Sequence, residues 1–159
     1  MDDEILTEAA GSAPGRAYYF DELMVGQKAQ YVREVTPADI QIFAQVSGDH
    51  NPVHLDDAFA AEHTPFEGRI AHGILSASYI STVLGTILPG PGSIYLNQIL
   101  KFRAPVRIGD VVETEVEITD LIATRSTVYL STCCRVVGKA VLDGKATLMA
   151  PQRPVPQQA

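Results

Sequence analysis

An α+β fold, one antiparallel sheet wrapped around a long buried helix, is predicted by two features of this 159-residue sequence. The first is a stretch from Ile70 to Leu100 that contains no Asp, Glu, Lys or Arg. Within it, GILSASYISTVLGTIL reads as a helix that is apolar or small on every side. A helix with no polar face must be buried over most of its circumference. The second is the alternation that follows. Val112, Thr114, Val116 and Ile118 alternate with Val111, Glu113, Glu115 and Glu117, and Val128, Leu130, Thr132, Cys134 and Val136 alternate with Thr127, Tyr129, Ser131, Cys133 and Arg135. That period of two belongs to half-buried antiparallel strands.

Taken in chain order, residues 1–17 are polar and small and are expected to form a flexible arm. A single domain then fills residues 18–150. A strand is expected near Lys28 to Val35. Thr36, Pro37 and Asp39 predict a helix start, with a capping threonine, a proline at the first helical position and an acidic capping-box partner. The helix runs over Pro37 to Val46 and stops at Ser47-Gly48. Pro52 blocks any continuation and pushes Asn51 towards an extended conformation. A short helix from Asp56 to about Glu62 comes next, with Leu55 and Phe59 turned inward. The uncharged helix stops at Pro89-Gly90-Pro91-Gly92. Strands follow over Ile94 to Arg103, the two alternating segments and Ala140 to Met149, with Gly138-Lys139 as a turn and Gly144 as an expected bulge. The tail at residues 151–159, PQRPVPQQA, cannot extend a sheet ladder and is expected to be loose.

Composition excludes several classes. Hydrophobic residues make up 46% of the chain and charged residues 19%, which suits one globular domain with a real core. Twelve Lys and Arg against nineteen Asp and Glu give a net charge of −7, a poor match for nucleic acid or an anionic membrane. An anionic ligand would need a local cluster of cations. The two cysteines, Cys133 and Cys134, are adjacent, so on a strand they point to opposite faces and do not bridge each other. The N-terminus lacks a basic region followed by an apolar core, and no apolar run is long enough to span a membrane. A cytoplasmic location is therefore the expectation.

All four histidines, His50, His54, His63 and His72, fall within a 23-residue window. Asp49 and His54 lie on either side of Asn51-Pro52, and the bend allows both side chains to converge on one water. A carboxylate beside an imidazole is a usable acid/base pair. His50 and His54 also have the spacing of a helical zinc site, but Pro52 lies between them and no third ligand at a familiar spacing is evident, so no metal is expected. His72-Gly73 sits where the uncharged helix begins. The first N–H groups of a helix lack acceptors within it and carry the positive end of its dipole. An oxyanion next to Gly73 N–H would be stabilised there.

SGDHNPVHLDDAF, FEGRIAHGILSASYIS and KFRAPVRIGDVVETEVEI together resemble the MaoC-like, R-specific enoyl-CoA hydratases of the hot-dog superfamily. The resemblance covers about Phe20 to Val141. It implies a hot-dog fold and a homodimer, or an assembly of such dimers, with two sheets joined edge to edge. It implies that Asp49 and His54 hold the water that adds to a 2-enoyl-CoA, that Asn51 supports their geometry and that Gly73 N–H meets the thioester oxygen. It also implies that Ser81, further along the helix, contacts or orients the pair. Asp49 or His54 takes the water proton as oxygen attacks C3, and the same pair returns a proton to C2 on the same face, giving the R alcohol. No cofactor is required, because CoA is the substrate's carrier. Candidate contacts for the acyl-CoA are Arg69, His72, Lys101 and Arg103. Tyr79, Ile80, Val83 and Leu84 would crowd an acyl tunnel beside the helix and favour crotonyl-CoA; if they pack against the sheet instead, the tunnel is open. Two alternatives from other classes are a hot-dog thioesterase, which would place a carboxylate on or at the start of this helix, and a non-catalytic acyl-CoA-binding subunit, which would have lost Asp49 or His54.

Overall fold

The structure is a computed structural model that describes residues 6–9 and 15–154. The expected flexible arm at residues 1–17 and the outer part of the expected loose tail therefore fall largely outside the described residues. Where they are described, they carry structure. Leu6–Ala9 (β1) runs parallel to β2 (Lys28–Glu34). Pro151 O accepts from Phe20 N at 2.9 Å, and Arg153 Nε donates to Asp21 Oδ2 at 2.9 Å.

The sheet has six strands in the order β1-β2-β4-β5-β6-β3, with β3 at Ile94–Phe102, β4 at Val111–Ile122, β5 at Thr127–Val136 and β6 at Lys139–Met149. All pairs other than β1–β2 are antiparallel. The alternation read from the sequence sets the faces. Val112, Thr114, Val116 and Ile118 of β4 and Val128, Leu130, Thr132 and Cys134 of β5 are all buried on one side. That side carries α4 (Gly73–Thr86), which packs against β2, β4, β5 and β6. Burial pushes the Cys134 thiol up to about 11.

Two expectations about the centre of the fold change. Gly144 is in regular register with Leu100 and Thr132; the irregularities fall between Tyr95 and Asn97, between Ile118 and Asp120, and between Cys134 and Arg135. Gly144 is instead a place of close approach, where a Cβ would run into the backbone of Ile99. Second, α4 is not enclosed by its own chain. Leu75, Ser76, Tyr79, Ile80, Val83 and Leu84 are buried, whereas Ile74 is 54% exposed and Ser81 and Gly85 are also exposed. One chain supplies one sheet, and one sheet covers one side of a helix.

The segment before α4 forms α1 (Pro37–Ser47), α2 (Pro52–Leu55) and α3 (Asp57–His63). The capping box is in place: Thr36 Oγ1 accepts from Asp39 N–H at 3.2 Å, and Asp39 Oδ2 accepts from Thr36 N–H at 2.9 Å. Gly48 ends α1 at φ 76°, in the left-handed region that glycine adopts without strain. Pro52 does not merely end a helix, as expected; it starts α2, because its fixed φ suits a first helical position. No helix among the described residues is long and apolar enough to cross a membrane.

Candidate active site

Three turns of chain deliver Asp49, His54 and His72 to one point. Past Gly48, Asp49 Oδ1 accepts from Asn51 N–H at 3.1 Å. Asn51 then caps α2, its Oδ1 accepting from Val53 N–H at 3.2 Å, and His54 follows on the single turn of that helix. His72 is the N-cap residue of α4. One nitrogen from each histidine and one carboxylate oxygen of Asp49 all lie within 4.8 Å of one another. That span suits a water held by two hydrogen bonds of ordinary length.

The two imidazoles are fixed by backbone carbonyls. His54 Nδ1 lies 2.8 Å from Ile70 O, and His72 Nε2 lies 3.0 Å from Asp49 O. Each of these nitrogens must therefore carry the proton and donate, which leaves His54 Nε2 with a free lone pair. The rings of His54 and His72 stack with centroids 3.9 Å apart, and Phe43 closes over His72 at 5.0 Å. His72 is 2% exposed. It was expected to contact substrate, but the structure uses it to tie the Asp49 loop to the start of α4 and to hold His54 flat.

A metal fits this group poorly. An ion bound by both rings would lie in both ring planes, and planes stacked at this separation with a 32° tilt share no point within bonding distance. His50 and His63, the other members of the histidine cluster, are exposed outside the group; His63 stacks on Phe59 and faces Glu62.

Beside His54 opens a pocket of about 500 Å³, lined on one side by Gly73 and Ser76 and on the other by Phe102, Val106 and Leu142. Gly73 N–H has no acceptor among the described residues, as the first position of a helix requires. A Cβ on Gly73 would lie 2.6 Å from the Phe102 ring, so glycine is what lets that ring pack closely on the start of the helix. Phe102, Val106 and Leu142 were not anticipated; each is an apolar residue of a strand or loop, and no local pattern separates such residues from core.

The other expected contacts divide. Arg103 lines the pocket, held by Asp143 through Nε at 2.6 Å and Nη2 at 3.1 Å. Arg69 is engaged with Asp57 at 3.2 Å. Lys101 does not line the pocket. Neighbours on a strand point to opposite faces, and with Phe102 over Gly73, Lys101 falls on the outer face near Glu115 and Glu117. Ser81 is exposed, about 12 Å along the axis from Gly73 at the helical rise; within one chain it is not brought to Asp49 and His54. Tyr79, Ile80, Val83 and Leu84 are packed into the core and line no part of this pocket. That pocket is bounded instead by Ser76, Val141 and Leu142.

Residues 23–137 match the model of the MaoC like domain family. The chain belongs to the MaoC-like family. Among MaoC-like relatives, it is 49% identical over 136 residues to an (R)-specific enoyl-CoA hydratase of Rhodospirillum rubrum, covering 86% of this chain and 94% of that protein. It is 49% identical over 138 residues to a 3-hydroxybutyryl-CoA dehydratase of Methylorubrum extorquens, covering 87% of each. Among solved structures, an unliganded R-hydratase of Pseudomonas aeruginosa superposes with a TM-score of 0.83 at 42% identity, covering 92% of this chain and 99% of that one. The fold is that of the hot-dog neighbours, with the sheet on one side of the helix.

Burial pulls the His54 imidazole below its ordinary value of 6.5, and His72 acts the same way; the Ile70 carbonyl and the Asp49 carboxylate pull back. With His54 as the base, it must be unprotonated to accept a water proton, so activity would be full above the shifted value and lost as pH falls through it. The acidic limb of kcat/KM is expected to have its midpoint below 6.5. A midpoint above 7 would mean that His54 is not the group read by that limb.

Proposed function

We propose that this chain is an R-specific 2-enoyl-CoA hydratase, reversible as a 3-hydroxyacyl-CoA dehydratase, with crotonyl-CoA among its good substrates. The observation that carries this is the convergence of the Asp49 carboxylate and the His54 ring at the wall of an apolar pocket that also presents the free N–H of Gly73. The thioester oxygen sits on Gly73 N–H, which polarises C3. Water between Asp49 and His54 Nε2 attacks C3 while the pair takes its proton. The enolate oxygen is held at the start of α4, and the same pair returns a proton to C2 from the same side. An acid/base pair contributes about 10²–10⁴-fold and an oxyanion donor about 10²–10³-fold. The large, charged CoA stays at the mouth, near Arg103 and near Arg107, whose Nη1 donates to Phe66 O at 3.1 Å. The thioesterase reading has little support, because α4 carries no carboxylate from Gly73 to Thr86.

The working unit we propose is a homodimer. Among the described residues β3 is an edge strand, paired only with β6. Its Ile94, Tyr95, Leu96, Ile99 and Phe102 are each at least 40% exposed, and the exposed Ile74 and half-buried Ala77 of α4 lie beside it. An exposed, long and apolar edge is a template for pairing with another strand. A second copy would extend the sheet and cover α4.

The deciding experiment follows the enoyl-thioester absorbance with crotonyl-CoA and couples product to R- or S-specific 3-hydroxyacyl-CoA dehydrogenases. Absorbance should fall with signal from the R-specific enzyme alone. Equal signals from both would refute one-face addition, and no hydration would remove the proposed activity.

A further inference from the structure

The loop that carries Asp49 and His54 has no anchor of its own in the core. From Gln45 to Phe59 every residue is exposed or half-buried. Its helix α2 is a single turn with no buried residue, too short to hold its shape unaided. The His54 end is tied to the segment before α4: Ile70 N–H donates to Val53 O at 3.1 Å, and His54 Nδ1 donates to Ile70 O at 2.8 Å. The Asp49 end is tied by His72, whose Nε2 donates to Asp49 O at 3.0 Å.

His72 gives up the ordinary work of its position to make that tie. It is the N-cap residue of α4, where a side chain usually accepts from an N–H of the first helical turn. Its ring makes no such bond. The ring is turned to the loop instead, with Phe43 of α1 against it and His54 stacked on it. Its Nδ1 is buried without a partner. A second proton there would be a buried donor with no acceptor, so the geometry holds this ring neutral.

We propose that His72 is a positioning residue for the acid/base pair: one neutral ring sets the gap between the Asp49 carboxylate and His54 Nε2, holding the Asp49 backbone with its N–H and the His54 ring with its face. The substrate touches neither hold. Without the N–H, the Asp49 end of the loop loses its tie to α4. Without the face, His54 tilts about its one hydrogen bond to Ile70. Either change opens the gap, and a misplacement of about 1 Å costs about 10²-fold in rate. The stack also keeps water from His54, whose lowered value has burial as its first cause. The charged or titratable groups around His54 among the described residues are Asp49 from the loop after α1, His72 from the start of α4 and Arg103 on the pocket wall. The inference rests on the hydratase reading for the reaction that the pair performs.

Three variants separate the two holds. His72→Phe keeps the face and loses the donor. His72→Gln keeps a donor and loses the face. His72→Ala loses both. With crotonyl-CoA, kcat should fall about 10²-fold in His72→Ala and about ten-fold in each of the others, while KM stays within about two-fold throughout. NMR of protein labelled with 15N-histidine follows the His54 ring without turnover. The wild type should carry its proton on Nδ1 and titrate below 6.5. His72→Phe should keep that midpoint, and His72→Gln and His72→Ala should move it up towards 6.5. Full kcat in a folded His72→Ala, a KM that rises as much as kcat falls, or one His54 midpoint in all the variants would overturn the proposal. If His72→Ala does not fold, His72→Phe and His72→Gln read the same quantities. A wild type that hydrates nothing, with the His54 midpoints moving as expected, removes the hydratase reading and leaves the hold of His72 on His54 standing.

Discussion

Replacing Asp49 by asparagine lowers kcat by about 10²-fold or more and leaves KM within a small factor. Asparagine has the same shape and can still accept the Asn51 N–H that Asp49 Oδ1 accepts at 3.1 Å, so the loop keeps its turn. His72 still donates to the residue 49 carbonyl, because that contact is to the backbone. What is lost is the carboxylate's ability to share the water proton. On the proposed mechanism Asp49 and His54 act on one water, so adding His54→Gln should cause far less than the product of the two single losses. Steady-state kinetics on crotonyl-CoA read both values. A fully active Asp49→Asn enzyme would sink the mechanism.

The second large effect is expected at the edge of the sheet. A charge at Leu96, as in Leu96→Arg, should turn the dimer into a monomer, read by light scattering on a sizing column, and should lower kcat/KM by at least about ten-fold. A cation placed in an apolar contact must be desolvated without a partner. Activity should fall with assembly, because Phe102 sits on the same strand and packs on Gly73. A wild type that is monomeric at micromolar concentration, or a monomeric variant with full activity, would refute this reading of β3.

Much of this molecule is legible in its sequence, and what is not has identifiable causes. Alternation in β4 and β5 reports burial directly because each strand has one covered face. Thr36, Pro37 and Asp39 announce α1 because capping chemistry is local. Asp49, Asn51 and His54 are recoverable for the same reason: a five-residue turn brings them together. The function of His72 was not, since its partners, the Asp49 carbonyl 23 residues earlier and the His54 ring, are tertiary contacts. Lys101 was a candidate contact because the sequence does not say which side of β3 looks at Gly73. Tyr79, Ile80, Val83 and Leu84 mark a buried helix equally well whether they face a sheet or a tunnel, and composition cannot tell the two apart. Ser76 gives no signal in sequence, because a serine that back-bonds and one that faces a cavity look identical.

The segment that follows β1 and the segment that follows β6 meet at one place. Gly15 N–H donates to Thr86 O and Tyr18 N–H to Pro89 O, both at 3.0 Å, just past the C-terminal end of α4, and Phe20 and Asp21 meet Pro151 and Arg153. Gly73 and the chemistry are at the opposite end of that helix. Among the described residues this seam therefore lies far from the pocket. A linker from residue 153 back to residue 15, with new termini opened at the Val137–Gly138 turn, would keep β2 to β6 around α4 and leave the Asp49–His54 loop uncut. The same seam is where another domain could be fused without crossing the mouth of the pocket.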